Sequence, residues 1–345
     1  MEDVKTLLVT GGCGFIGSNF IRYMLNKHPN YKIKNLDKLT YAGNVHSLDD
    51  FKDDNRYELI IGDVCNKELV ENIVKDVDTI VHFAAESHVD LSIFDSRLFL
   101  ETNVIGTQTI LEAARLNGKK RFHHISTDEV FGEIQGDEKF SEKSPINPRN
   151  PYSASKAAAE HIVMAYYYTH GLPVTISNCS NNYGPYQYPE KLVGRSITNL
   201  LSGEKIPLNG DGKSIRDWLY VEDHCKAIDL ILEKGKIGET YCIGGDCEKT
   251  NIEVANSILD AMKMGKENIE FISGRPGCDA RYAIDYSKIE KELGWKPQIS
   301  FNDGIKKTVE WYVSNKKWWL PLRRDMIKNR DQFKDTFSKY YKEYK

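Results

Sequence analysis

The run Gly11-Gly12-Cys13-Gly14-Phe15-Ile16-Gly17 constrains this chain more than any other stretch. Residues 6–10 before it, Thr-Leu-Leu-Val-Thr, carry an apolar run between two threonines. Residues 15–26 after it place apolar side chains at Phe15, Ile16, Phe20, Met24 and Leu25. That pattern predicts a buried strand, a glycine turn and an amphipathic helix. Glycines at 11, 14 and 17 let the backbone approach a pyrophosphate closely. The helix start then offers free N–H groups and a positive dipole end to the anion. Asp37 follows Gly17 by 20 residues, after a second apolar run. A carboxylate there can accept hydrogen bonds from both ribose hydroxyls and repels a 2′-phosphate, which favours NAD over NADP. Lys38, next to it, weakens that preference slightly.

Residues 33–36, 58–61, 79–83 and 122–126 are further predicted strands. Between the last two, residues 98–116 have helical periodicity and stop at Asn117-Gly118, a helix C-cap signal. Strand-helix alternation of this kind predicts a parallel sheet covered by helices on both faces. At 345 residues the chain is long enough for two closely packed domains. Proline and glycine thicken after about residue 181 without forming a flexible linker. This predicts a first domain over 1–181, with return segments near 217–243, and a second occupying mainly 182–345. The charged tail over 323–345 predicts a surface helix.

A formal net charge of -3 gives no reason to expect nucleic acid or an anionic membrane as partner. The seven cysteines are scattered, without Cys-x-x-Cys or zinc spacing, so reduced thiols and no metal are expected. The first residues run straight into a strand and no apolar run approaches the roughly 20 residues of a membrane span. A cytoplasmic protein is expected.

Tyr152-Ser153-Ala154-Ser155-Lys156 sits in a helix-compatible stretch, so Tyr152 and Lys156 share one face. A nearby ammonium lowers the pKa of a phenol and lets it act as a base. Before it, Thr127-Asp128-Glu129 follows the strand at 122–126. Eliminating water needs one group to remove a carbon-bound proton and another to protonate the departing hydroxyl, and two carboxyls in different environments can divide those roles.

Taken with the glycine loop, these residues resemble the extended short-chain dehydrogenase/reductase family. Two adjacent acids after the threonine mark its sugar-nucleotide 4,6-dehydratases. The runs at 35–44, 82–90, 178–186, 189–192, 216–224, 275–277, 281–285 and 293–297 are similar to those of the enzymes acting on dTDP-glucose. The resemblance covers roughly residues 4 to 320 and implies a Rossmann-type doubly wound parallel sheet with a smaller α/β C-terminal substrate domain.

It also implies site residues. NAD, kept bound and regenerated each cycle, would meet Gly11, Gly14, Phe15, Ile16, Gly17, Asp37, Lys38, Leu39, Thr40, Asp63, Val64, Ala84, Ala85, Thr102, Tyr152, Lys156 and Asn182. The sugar nucleotide would meet Ser87, Thr127, Asn181, Lys191, Leu192, Pro207, Leu208, Asn209, Arg216, Asn251, Arg275, Asp279 and Tyr282, with Arg216 and Arg275 on the diphosphate. Thr127, Asp128, Glu129, Tyr152 and Lys156 would be catalytic. A homodimer built from two helices per subunit is implied, including residues 98–116 and the helix carrying Tyr152.

Three positions depart from the dTDP-type pattern. Asn209 stands where a tyrosine is common near the base, Cys278 where histidine is usual, and Leu91 where arginine is. They leave the chemistry alone and bear on the nucleotide and sugar. dTDP-glucose comes first. A UDP-, CDP- or GDP-linked glucose or N-acetylglucosamine is the alternative, then an epimerase on the same fold, then a non-catalytic NAD-sensing protein.

Overall fold

A computed structural model describes residues 5–273 and 279–328. The first strands and helices are β1 (Lys5–Thr10), α1 (Phe15–Lys27), β2 (Tyr31–Asp37), β3 (Tyr57–Ile61), α2 (Lys67–Val74) and β4 (Thr79–His82). Short helices α3 (Val89–Phe94) and α4 (Ser96–Phe99) lead through a π-helical stretch, Leu100–Gly106, into α5 (Thr107–Leu116). Next come β5 (Arg121–Thr127), α6 (Pro151–His170), β6 (Val174–Cys179), β7 (Asn181–Tyr183), α7 (Leu192–Leu200) and β8 (Ile206–Asn209). Then follow β9 (Ile215–Tyr220), α8 (Val221–Lys234), β10 (Thr240–Ile243), β11 (Glu248–Thr250) and α9 (Asn251–Met262). The series closes with β12 (Ile269–Ile272), α10 (Ser287–Leu293) and α11 (Phe301–Ser314).

Seven strands form one parallel sheet in the order β10-β6-β5-β4-β1-β2-β3. Its strands are near-continuous apolar runs because helices bury both faces. One face packs Leu8, Ile80, Phe122 and Val174 against α2, α5 and α6. The other packs Leu7, Val9, Val81 and Ile125 against α1 and α8. Chain order reverses between β1 and β4, and a doubly wound sheet opens a ligand crevice at the carboxyl ends of its strands there. Gly11 to Gly17 leaves β1 and Phe83 to Ser87 leaves β4, so both loops border that crevice.

A second core lies under α7, α9 and α11, around Tyr183, Leu208, Trp218 and Tyr312. It carries a three-stranded sheet, β11-β9-β7, and a two-stranded one, β12-β8. Two sequence expectations need correction. Residues 98–116 do not form one regular helix. The middle is π-helical because Asn103 turns inward to bind the loop after β4. The charged tail is not wholly a surface element either. Arg323 is 6% exposed and pairs with Glu204 at 2.6 Å and Asn199 at 3.3 Å. Residues 329–345 lie outside the described residues. Among the described residues, no helix is long and apolar enough to cross a membrane.

Candidate active site

The glycine turn is a backbone cradle. Gly11 has φ +70°, and a Cβ there would stand 2.7 Å from the Ala84 nitrogen. A Cβ on Gly17 would stand 2.4 Å from the Gly11 carbonyl oxygen. Only hydrogens at these positions let α1 start so close to β1 and β4. Gly14 caps α1 without any side-chain hydrogen bond, and the first turn carries no acid. The N–H groups at the α1 start are therefore open to an anion. Asp37 closes β2, where its Oδ2 accepts the Cys13 N–H at 2.8 Å and its Oδ1 the Leu39 N–H at 2.8 Å. Burial raises its carboxyl above the usual value, and the two N–H groups oppose that rise. Leu39 follows in the left-handed region at φ 54°. Lys38 pairs with Asp63 at 2.7 Å, joining the ends of β2 and β3. Val64 is buried, while Thr40 is exposed and Ala84, Ala85 and Thr102 are part-buried. A cradle, an open helix start and a ribose-height acid fit a dinucleotide.

Across the crevice, β5 ends at Thr127 and a 3-10 turn carries Asp128 and Glu129. Thr127 caps that turn, its Oγ1 accepting the Glu129 N–H at 3.3 Å, and donates to Asp128 Oδ1 at 3.3 Å. Asp128 is 2% exposed, and its Oδ2 has no hydrogen-bond partner. Burial, then the charges of Glu129 and Asp217, hold its carboxyl well above the usual range, and Arg216 opposes them. Burial thus favours the neutral form of Asp128. Glu129 is part-exposed, with the Asn150 side-chain amide donating to its Oε2 at 3.4 Å.

Asn150 also caps α6 in a reciprocal box with Ser153, and Pro151 opens the helix. This places Tyr152 and Lys156 one turn apart beneath the acids. Tyr152 is buried against Val89 and Phe99. The expectation that Lys156 lowers its pKa needs correction. Burial first, then Glu129, push the phenol well above its ordinary value, and a hydrogen bond with Thr127 opposes them. Lys156 turns to β5 instead, its Nζ donating to the Ile125 oxygen at 2.7 Å and lying 3.4 Å from His124 Nε2. Burial lowers its own ammonium to about 8.

The sequence reading missed the layer beneath these groups. Asn103 accepts the Glu86 N–H at 2.8 Å, donates to the Glu86 oxygen at 3.0 Å and to Ser155 at 2.8 Å. Asn178 holds the Thr127 oxygen at 3.1 Å, and Glu160 gathers Ser126 and Asn178. Asn182 accepts from His224 Nδ1 at 3.0 Å.

Substrate-side candidates come together in part. Lys191 donates to the Ser87 oxygen at 3.1 Å and Leu192 opens α7. Asn181 and Arg216 lie on the neighbouring strands β7 and β9. The Arg216 guanidinium stacks 4.4 Å over the Tyr282 ring and donates to the Asp279 oxygen at 3.0 Å, while Tyr282 donates to the Asp279 carboxylate. Asn251 opens α9, its N–H bonded to the Ser214 oxygen at 3.1 Å. Leu208 does not face this group: it is 1% exposed in the second core. Pro207 lines a separate cleft with Arg195, Lys205 and Glu270. Asn209, at the exposed end of β8, is the member of that trio left for a ligand. Arg275 and Cys278 lie outside the described residues.

A doubly wound sheet with a glycine cradle at its switch point, facing a Tyr-x-x-x-Lys helix and two acids, defines an NAD-type enzyme of the short-chain dehydrogenase/reductase class. The chain belongs to the family described as GDP-mannose 4,6 dehydratase, whose model matches residues 8–308. A dTDP-glucose 4,6-dehydratase of Streptomyces niveus is 47% identical over 321 residues, covering 92% of this chain and 95% of that protein. Another, dTDP-glucose 4,6-dehydratase 1 of Escherichia coli K12, is 48% identical over 339 residues, covering 90% and 94%. The crystal structure of a dTDP-glucose 4,6-dehydratase from Streptomyces venezuelae with NAD and TYD bound is 47% identical, with a TM-score of 0.89 over 92% of this chain and 99% of that one. A UDP-glucose 4-epimerase from Thermotoga maritima superposes with a TM-score of 0.84 at 28% identity, covering 90% and 99%.

Proposed function

We propose that this chain is a hydro-lyase that converts dTDP-glucose to dTDP-4-keto-6-deoxyglucose with NAD as a retained cofactor. The observation that carries the reaction type is the asymmetry of the two acids. Asp128 is sealed in surroundings that favour its neutral form, and Glu129 beside it is part-exposed. One neutral acid and one carboxylate within a single turn can protonate a leaving hydroxyl and remove a carbon-bound proton in the same event. The dehydratases at 47–48% identity over about nine-tenths of this chain support the same chemistry and the dTDP-glucose substrate.

Gly11, Gly14 and Gly17 hold the pyrophosphate, Asp37 the adenosine ribose, and the Ala84-Ala85 loop and Thr102 line the crevice. Lys38, Leu39, Thr40, Asp63, Val64 and Asn182 complete the cofactor contacts. Bound NAD would supply a hydride acceptor at C4 and the same hydride to C6, and Glu129 would give its proton back to C5 as the double bond is reduced. Tyr152, oriented by Thr127, would take the proton of the 4-hydroxyl as a phenolate, a form that burial opposes here and that the positive nicotinamide ring of bound NAD would favour. Lys156 supplies the nearby positive charge. The 4-ketone acidifies the C5 proton, Glu129 removes it, and Asp128 gives its proton to the 6-hydroxyl as water departs. Arg216 holds the diphosphate, with Tyr282 stacked behind its guanidinium. Ser87, Asn181, Lys191, Leu192, Asn209 and Asn251 contact the rest of the nucleotide sugar.

The chain divides near 181/182 into a part with most of the cofactor contacts and a part with most of the substrate contacts, with 217–243 returning to the first domain. Placement of β10 at the edge of the seven-stranded sheet supports that return. A cytoplasmic homodimer follows from the same reading. Exposed apolar side chains at Leu98, Leu100, Ile105, Leu116 and Tyr168, on the two helical stretches named for the interface, support it. The function is tested by incubating purified protein with a panel of nucleotide hexoses and weighing the products. Loss of one water with dTDP-glucose, and alkaline absorbance of a 4-keto sugar, are expected. Turnover without water loss would point to an epimerase.

A further inference from the structure

A second carboxylate is sealed beneath the catalytic turn. Glu160 is 6% exposed and lies on α6 one turn past Lys156 and two past Tyr152, on their face of the helix. Its Oε1 accepts from Ser126 Oγ and from Asn178 Nδ2, the latter at 2.7 Å. The same Asn178 amide donates to the Thr127 backbone oxygen at 3.1 Å. Burying an acid is costly unless hydrogen bonds and an opposite charge compensate it. The cation on this face of α6 is Lys156, one turn back and likewise buried. The groups around Lys156 are His124 and the Ile125 oxygen from β5, His82 from β4, Cys179 from β6, and Glu160 on α6. Burial keeps both histidines neutral, His82 at about 3 and His124 well below its usual value. Burial also keeps Cys179 a thiol. Among these described groups Glu160 is the one carboxyl. Burial raises its carboxyl, and Ser126, Asn178, Lys156 and the adjoining His161 oppose that rise.

We propose that Glu160 is a positioning residue of the reaction: it pins Ser126 and Asn178 beneath Thr127 and supplies the buried countercharge that keeps Lys156 an ammonium. The catalytic half of this statement rests on the role given to Lys156 above. Hydrogen bonding and charge are separable here. Glu160→Gln keeps an acceptor for Ser126 and Asn178 and removes the charge. Ser126→Ala removes one donor and keeps the charge.

The Lys156 ammonium is titrated by NMR in full-length protein carrying Cε-labelled lysine, and kcat is followed against pH. A buried opposite charge moves a titration by ~1–3 pH units. In Glu160→Gln, Lys156 should lose its proton at least about one pH unit lower, and the alkaline limb of kcat should move with it. Ser126→Ala should move neither. A Lys156 titration unchanged in Glu160→Gln overturns the charge pairing, as does an equal change in Ser126→Ala. An alkaline limb that stays put while the titration moves overturns the catalytic role. Should Glu160→Gln not fold, Lys156→Met gives the reciprocal test: the Glu160 carboxyl must titrate higher by a similar amount, and no change refutes the pairing. Wild-type protein that dehydrates no nucleotide hexose refutes the proposed function, while the Lys156 titration still decides the pairing on its own.

Discussion

Replacing Asp128 by asparagine should cost activity and gain stability, and the two effects have one cause. The side chain is 2% exposed, with Oδ2 unpartnered and Oδ1 held by Thr127. Asparagine has the same shape and offers the same acceptor to Thr127, but it has no acidic proton. General acid catalysis contributes typically 10²–10⁴-fold, so the barrier to water loss should rise by about 3–5 kcal/mol. Stability should move the other way. Folding raises the Asp128 carboxyl above its unfolded value, chiefly through burial. A group raised in this way gives its full stability below the unfolded pKa, about 3.9 for aspartate, and loses it as pH climbs toward the folded value. Each tenfold change in proton affinity is worth about 1.4 kcal/mol. The variant escapes that loss. Its melting temperature should exceed wild type by a gap that opens above about pH 4 and widens toward neutrality. Quenched single-turnover mass spectrometry should show a 4-keto hexose still carrying its 6-oxygen. Turnover within tenfold of wild type, or a melting gap independent of pH, would refute the assignment.

Glu129→Gln should likewise stop elimination after C4 oxidation, and hydrogen exchange at C5 with solvent, read by NMR of recovered sugar, should disappear. Gly17→Ala puts a methyl 2.4 Å from the Gly11 oxygen and 2.8 Å from the Gly12 Cα, both backbone. It should push α1 outward, cost about 1–3 kcal/mol in denaturant titration and abolish NAD binding by calorimetry. Asn103→Ala strands the Glu86 N–H inside the protein and should cost about 2–3 kcal/mol. Activity itself should fall above about pH 8 as Lys156 loses its proton, whereas a rate still rising at pH 9 would contradict its charged role.

The cofactor half was legible because its signals are local. Glycines at 11, 14 and 17, the apolar period of α1 and the position of Asp37 each follow from neighbouring residues. The acids and the Tyr152-Lys156 pair were legible as motifs, but not their environments. Whether Asp128 is neutral depends on packing from β9, which no spacing records. Lys156 faces β5 rather than the phenol because desolvation makes the Ile125 carbonyl its best partner. The π-helical stretch at Leu100–Gly106 follows from the contacts of Asn103 with Glu86 and Ser155. Those contacts close over 17 and 52 residues, beyond any helical period. Glu160 carried a faint signal, one acid at the same helix phase as Tyr152 and Lys156, but an acid on an amphipathic helix ordinarily reads as a solvated side chain. Leu208 shows the converse failure: a motif position whose side chain belongs to the core.

The central claim is a dehydration in which hydrogen leaves C4 and returns within the same sugar to C6. It is tested most directly by supplying dTDP-glucose deuterated at C4 and locating the label by NMR in the product. Deuterium at C6 of a 4-keto-6-deoxy sugar, with one water lost, is the predicted result. Label retained at C4, or released to solvent, would contradict it.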